Sequence, residues 1–246
     1  MDIQNKNYNQ NEYASTAEIG SEAKIRAFLS NVFTYMAGAL SITGVIAYLF
    51  GTNDSLLSYL VNFETGGMTI LGWGVMLAPL AFVLVMSLSF NKLSSFSLLG
   101  LFVAYSAVMG MSMSFIFLIY TGSSIASTFG ITAATFGVMA FLGYTTKQDL
   151  TKFGSILIMA LIGIIIASVV NFFIGSSMMD LLISCLGVLI FTGLTAYDVQ
   201  KLKRIGSGVE FGAESANKLA IMGALNLYLD FVNLFMFLLR LFGDRR

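Results

Sequence analysis

The sequence predicts an all-α membrane protein, a bundle of seven transmembrane helices, and three observations support this fold class. Of the 246 residues, 57% are hydrophobic and only 11% are charged. Soluble domains carry roughly 25% charged residues, so lipid must solvate much of this protein. Seven apolar segments are long enough to cross a bilayer, and runs such as Ile156–Ile166 lack the alternation of barrel strands.

The seven predicted spans each reach the length of about 20 residues that the hydrocarbon core requires. In chain order they are Leu29–Phe50, Met68–Phe90, Phe96–Tyr120, Ser124–Tyr144, Phe153–Ile174, Leu181–Gln200 and Leu219–Leu239. Residues 1–22 are polar and predict a disordered cytoplasmic tail, so the predicted transmembrane domain covers residues 23–246.

Lysine and arginine predict the orientation, because they concentrate in cytoplasmic loops. With the N-terminus inside, ten basic residues fall on the cytoplasmic side and three outside. The inner ten are Lys6, Lys24, Arg26, Lys92, Lys147, Lys152, Lys201, Lys203, Arg204 and Lys218, and the outer three are Arg240, Arg245 and Arg246. We therefore expect a cytoplasmic N-terminus and an external C-terminus.

The net charge and the cysteine and histidine content exclude several kinds of functional site. The net charge is zero, which does not suggest a nucleic-acid partner. The single cysteine, Cys185, excludes an intrachain disulfide, and no cofactor is expected. The chain has no histidine, so titration near neutral pH requires a perturbed carboxylate or a similarly shifted group.

Two aspartates are the charged residues inside the predicted spans: Asp198 in span six and Asp230 in span seven. An aspartate at the centre of a membrane helix costs on the order of 3 kcal/mol. The pair could serve only to fix helix packing through hydrogen bonds. Alternatively, the two carboxyls face each other across the hairpin, share a proton when close, and repel when both ionise. The ionised pair would admit water and offer oxygen ligands to a hard cation such as Ca²⁺.

Facing each other requires the two aspartates to lie at similar depths. Asp230 lies about 18 Å beyond Lys218, whereas Asp198 lies only about 3 Å before Gln200, at 1.5 Å per residue. The difference shrinks if span six continues as a helix through Lys201–Arg204. We predict that continuation.

Three sequence stretches resemble the Bax inhibitor-1 family, in particular its bacterial members. They are Arg26-Ala-Phe-Leu with Tyr35-Met-Ala-Gly-Ala-Leu40, Phe191-Thr-Gly-Leu-Thr-Ala-Tyr-Asp-Val-Gln-Lys201, and Ala224-Leu-Asn-Leu-Tyr-Leu-Asp-Phe-Val-Asn-Leu-Phe235. The resemblance implies a seven-helix fold with span seven central, in the bacterial inner membrane. It also implies a pH-sensitive Ca²⁺ leak gated by a di-aspartyl pair, which the family pattern places at Asp198 and Asp230.

The sequence also suggests interaction partners for Asp198 and for Arg240. Some family members have a basic residue in span two that pairs with the span-six aspartate, but residues 68–90 contain none here. Asp230, Ser87, Ser89 or water could take that place beside Asp198. Glu64 and Arg240 fall at the same outer end of the predicted topology, so they are candidates for an ion-pair latch between spans two and seven, worth under about 1 kcal/mol if exposed.

Two other functions compete with the leak. A non-conducting modulator of a membrane protease or stress response is compatible with the family. An intramembrane aspartyl protease would also use two aspartates in neighbouring spans. Such enzymes have Gly-x-Gly-Asp and Pro-Ala-Leu motifs, whereas this chain has Leu227-Tyr-Leu-Asp230 and Pro79 as its single proline. We therefore do not expect an enzyme. The expected contacts are lipid, protons and Ca²⁺, with a membrane protease as an alternative partner.

Overall fold

The computed structural model describes residues 2–208 and 212–246, with side chains from residue 22 onward. Its elements in chain order are α1 (Asp2–Thr52), α2 (Asp54–Leu57), β1 (Val61–Asn62), β2 (Gly67–Met68), α3 (Ile70–Leu88), α4 (Ser95–Met113), α5 (Ile116–Ile119), α6 (Gly122–Thr145), α7 (Thr151–Ile174), α8 (Ser177–Ser207) and α9 (Ala213–Phe242). The two short strands form an antiparallel hairpin before α3. The predicted tail, residues 1–22, lies almost wholly where side chains are not described, and the domain boundary stays a prediction.

Within the described residues, seven helical segments are long and apolar enough to span a membrane, which confirms the predicted fold class. They are Glu22–Thr52, Ile70–Leu88, Ser95–Ile119, Gly122–Thr145, Thr151–Ile174, Ser177–Ser207 and Ala213–Phe242. Each corresponds to one predicted span.

Hydroxyl residues set the start of four of these helices. The side chains of Thr69, Ser94, Thr121 and Ser176 each accept a hydrogen bond from a backbone N–H in the first turn of α3, α4, α6 and α8, respectively. Such caps satisfy donors that have no partner inside the helix. At the other end, α7 stops at Gly175, whose φ of 70° is left-handed and suits glycine.

Helix α9 lies at the centre of the bundle. It packs against α1, α4, α6 and α8. In its apolar part 67% of the residues are buried, compared with 6% in α7. The predicted central position of span seven is therefore confirmed, and α7 is a peripheral helix that packs mainly on α8.

Glycines let α8 approach its two peripheral neighbours closely. A Cβ on Gly143 of α6 would collide with the backbone carbonyl of Ala196. A Cβ on Gly154 of α7 would overlap the ring of Tyr197. Because small residues permit this backbone approach, the segment of α8 that carries Asp198 is held from both sides.

Candidate functional site: a carboxyl pair beside a lateral cavity

Asp198 of α8 and Asp230 of α9 are brought together, as the sequence predicts. Their carboxyl groups lie close enough for a hydrogen bond between them. Asp230 is only 6% exposed, and its Oδ2 is buried without a hydrogen-bond partner among the described residues. Helix α3 packs against α4, so Asp230, rather than Ser87 or Ser89 at the end of span two, is the neighbour of Asp198.

The depth difference between the aspartates is resolved by the length of α8. This helix continues past Gln200 through Lys201–Arg204 and ends at Ser207. Asp198 therefore lies nine residues before the helix end, about 14 Å at 1.5 Å per residue. The predicted continuation of span six is confirmed, and it brings Asp198 to the level of Asp230.

Two asparagines extend the polar face around Asp230. Asn226 and Asn233 lie one turn before and one turn after it, and both line the same cavity as the carboxyl pair. The side-chain nitrogen of Asn233 donates to the carbonyl oxygen of Leu229, which leaves its oxygen as the available ligand atom. This stripe was not predicted from the sequence, although the spacing of four and three residues within an apolar helix is its signature.

The cavity lies between α7, α8 and α9 and has a volume of about 560 Å³. Its α7 wall is apolar except for Ser168. Ile158, Ile165 and Val169 on that wall are 44%, 54% and 57% exposed, so the cavity opens sideways toward lipid. The two aspartates thus border a compartment that is reachable from the bilayer.

Lys201 is the third charged residue that lines the cavity in the described structure. It lies one helical turn from Asp198 and attracts that carboxyl electrostatically. One lysine set against two carboxyls leaves the lining with one net negative charge whenever both carboxyls ionise. A single extra positive charge would balance it.

The last turns of α8, from Gln200 onward, hold the connection between α6 and α7. Gln200 accepts a hydrogen bond from the backbone N–H of Leu150 and donates one to the carbonyl of Gln148, at 2.8 and 2.7 Å. Lys203 donates to the carbonyl of Tyr144 at 2.8 Å. The last turns of α8 are therefore hydrogen-bonded to the connection between α6 and α7, and the first of these bonds lies only two residues after Asp198.

An ion pair between Asp149 and Arg204 also joins the end of α8 to the connection between α6 and α7. The hydroxyl and the backbone N–H of Thr151 donate to the Asp149 carboxylate, and Arg204 lies 3.2 Å from it. The hydrogen bonds from Thr151 and the nearby guanidinium hold the pKa of Asp149 below its usual value. This carboxylate is exposed and belongs to the loop, not to the pair of Asp198 and Asp230.

The predicted latch between Glu64 and Arg240 is wrong in its partner. The Arg240 guanidinium lies 3.5 Å from the carboxylate of Asp180, at the start of α8. Glu64 is exposed in the turn of the β1–β2 hairpin, and within the described residues it forms no ion pair. Because α8 and α9 are antiparallel neighbours, the start of one and the end of the other meet, which favours Asp180.

The side chains that line the cavity do not form a complete site for a tightly bound metal ion. Among the described residues, no group of three or more His, Cys, Asp and Glu side chains could hold a metal ion. Two carboxyls are too few for the 6–8 oxygens that Ca²⁺ takes, but the oxygens of Asn226 and Asn233 border the same space. Contact with a hard cation at Asp198 and Asp230 would be completed by water and would be weak.

The long segments that carry Asp198 and Asp230 also match known proteins. A family described as "Inhibitor of apoptosis-promoting Bax1" matches residues 25–246, which contain both aspartates and all of the seven spans except the first three residues of span one. The chain belongs to this family. The resemblance predicted from sequence is therefore confirmed.

Two bacterial proteins are among the relatives that this chain matches over most of its length. "Inner membrane protein YbhL" of Escherichia coli (strain K12) is 42% identical over 233 residues, 94% of this chain and 97% of that protein. An "Uncharacterized protein" of Borreliella burgdorferi is 47% identical over 219 residues, 89% of this chain and 92% of its own length. Together with the seven apolar helices, these relatives support a multi-pass protein of the inner membrane.

Proposed function

We propose that this protein is a proton-regulated cation leak of the bacterial inner membrane, with Ca²⁺ as the permeant ion and Asp198 and Asp230 as sensor and gate. The observation that supports it best is the buried Oδ2 of Asp230, which no donor among the described residues reaches, in a carboxyl group that lies beside that of Asp198. A proton shared between the carboxyls would satisfy these groups and hold α8 against α9. The fully ionised pair repels and would let water enter.

The basic partner expected from some family members is replaced in this proposal by Lys201. Lys201 lies one turn along α8 from Asp198 and lines the same cavity, so its positive charge would reduce the repulsion of the ionised pair. The open state would then keep one net negative charge toward the pathway. That charge favours a cation over an anion.

The test is Ca²⁺ flux into liposomes that contain the purified protein, measured across a series of pH values. Wild-type flux is expected to rise with pH as the shared proton is lost. Asp198→Asn and Asp230→Asn are expected to remove the pH dependence, because an amide cannot ionise. Asp180→Asn is the matched control, since it removes a carboxylate from α8 that lies outside the cavity. Flux in both site variants with the wild-type pH profile would contradict the proposal.

The liposomes that contain the purified protein also distinguish the leak from the two alternative functions, a non-conducting modulator and an aspartyl protease. A non-conducting modulator would show no flux at any pH and would cross-link to a membrane protease complex. An aspartyl protease would cleave a transmembrane peptide and lose that cleavage in Asp198→Asn. We propose neither, because the lateral cavity with its single unbalanced charge fits an ion better than a peptide strand.

The orientation belongs to the same proposal. An odd number of spans would put the termini on opposite sides, and the ten-to-three distribution of basic residues supports a cytoplasmic N-terminus. A cysteine introduced at Asp244, in the background Cys185→Ser, should react with a membrane-impermeant maleimide added to spheroplasts. Labelling only after lysis would contradict the proposed orientation and would indicate a cytoplasmic C-terminus.

A further inference from the structure

The cavity between α7, α8 and α9 has a wall that ion conduction does not require. The α7 side from Ile158 to Val169 is about 16 Å long at 1.5 Å per residue and is apolar except for Ser168. It opens toward lipid, as the half-exposed side chains on its rim show. A water pathway has no need of such a long apolar wall.

The opposite wall carries charge and hydrogen-bond acceptors. It consists of Asp198 and Lys201 on α8 and the stripe Asn226, Asp230 and Asn233 on α9. The Asp230 side chain is more than nine-tenths buried, and its Oδ2 has no partner among the described residues. An unpartnered carboxyl oxygen at this depth is costly unless a donor reaches it.

One chemical class matches both walls. An ammonium group supplies N–H donors for a carboxyl oxygen and one positive charge, which balances the single negative charge left by Asp198, Asp230 and Lys201. An attached alkyl chain would cover the apolar side chains of α7. We propose that the lateral cavity binds an ammonium that carries an apolar chain and enters from the bilayer, with its cation against Asp230 and its chain along α7.

Binding of the ammonium in the lateral cavity would also regulate the proposed cation leak. An ammonium seated between the carboxyls takes the place of the permeant ion and joins α7 to α9, so its binding blocks flux. This consequence rests on the proposed function, whereas the binding itself does not. The experiment therefore measures binding without any ion flux, so that either proposal can fail alone.

The probe is an alkylammonium whose chain carries a nitroxide, and its control is the alcohol of the same chain. The single native tryptophan, Trp73, lies on α3 and is replaced by phenylalanine. Leu161→Trp then reports from the cavity wall. Ile162→Trp is the matched reporter, because this neighbouring residue is 54% exposed and does not line the cavity.

In phosphatidylcholine vesicles, the ammonium should half-quench Leu161→Trp at about a tenfold lower mole fraction than the alcohol. That ratio is the order expected from one charge-assisted hydrogen bond. The two probes should quench Ile162→Trp alike. Asp230→Asn in the reporter chain should bring the ratio close to one.

Two further results decide the proposal. Equal quenching of Leu161→Trp by ammonium and alcohol would overturn it, and this comparison needs no aspartate variant to fold. Adding phosphatidylethanolamine separates the two sources of the ammonium. Loss of the probe's advantage in that lipid assigns the site to a lipid headgroup amine, and an unchanged advantage assigns it to a free amine.

Discussion

Arg240 and Asp180 join the end of α9 to the start of α8, with the guanidinium nitrogen 3.5 Å from the carboxylate oxygen. Their side chains are 41% and 44% exposed, so water and salt screen the pair. Arg240 also lies over the ring of Phe237, a residue that lines the lateral cavity. The contact joins the two helices of the hairpin that carries Asp198 and Asp230, at the end opposite to the connection between α8 and α9.

The ion pair should add little to stability. In a double-mutant cycle of Asp180→Asn and Arg240→Gln, the coupling in the free energy of unfolding is expected to be under about 1 kcal/mol. Unfolding in mixed micelles, followed by circular dichroism, gives this coupling. The matched cycle with Glu64→Gln should show none, and a larger coupling for Glu64 than for Asp180 would contradict the structure.

Gly143 should tolerate no side chain. Gly143→Ala would drive its Cβ into the Ala196 carbonyl and separate α6 from α8, at a cost of about 1–3 kcal/mol. Gly137→Ala on the same helix is the control, since nothing lies within 4 Å of its Cβ position. The thermal midpoint in detergent should fall for Gly143→Ala and stay level or rise for Gly137→Ala. Equal midpoints for the two variants would refute the close contact.

The parts of this structure that follow from local composition were predictable. Apolar length gave seven spans, and the cost of a membrane-depth carboxylate singled out Asp198 and Asp230. The depth comparison even predicted the extra turns of α8 beyond Gln200, because two carboxyls on antiparallel helices meet only at one level. These inferences need only the rise of a helix and the polarity of lipid.

The features that depend on helix neighbours were not predictable. Arg240 was assigned to Glu64 because both fall at one end of the topology, but topology does not say which helices touch. The stripe of Asn226 and Asn233 was overlooked because an asparagine carries no charge and so does not stand out in a membrane span. The lateral cavity exists because α7 packs mainly on α8, which no pattern within α7 reveals.

Asp149 should titrate only in acid. Its folded-state pKa lies below the usual value, so it stabilises the loop at any pH above the unfolded-state pKa and loses that effect as the pH falls through the folded one. Its carboxyl carbon, followed by NMR, should titrate below about 3.9, the model-peptide value. Thr151→Ala should raise this midpoint, whereas Thr146→Ala, which lacks a bond to Asp149, should not. Asp149→Asn should leave the pH profile of Ca²⁺ flux unchanged.

Gln200 should control the exposure of the connection between α6 and α7. Gln200→Ala leaves the Leu150 N–H and the Gln148 carbonyl without their partners, which costs about 1–3 kcal/mol and favours local opening by about 5- to 150-fold. Trypsin cleavage after the exposed Lys147 should accelerate accordingly in vesicles with the predicted cytoplasmic face outward.

Cleavage after Lys92 in the connection between α3 and α4 is the internal reference, because Gln200 does not touch it. Gln200→Glu should fall between wild type and Gln200→Ala, since a carboxylate still accepts from Leu150 but cannot donate to Gln148. If cleavage after Lys92 accelerates equally, the variant unfolds as a whole and the local clamp is refuted. A selective change at Lys147 would show that the helix carrying Asp198 holds this loop closed. Movement of α8 at the carboxyl pair would then reach the connection between α6 and α7 through Gln200.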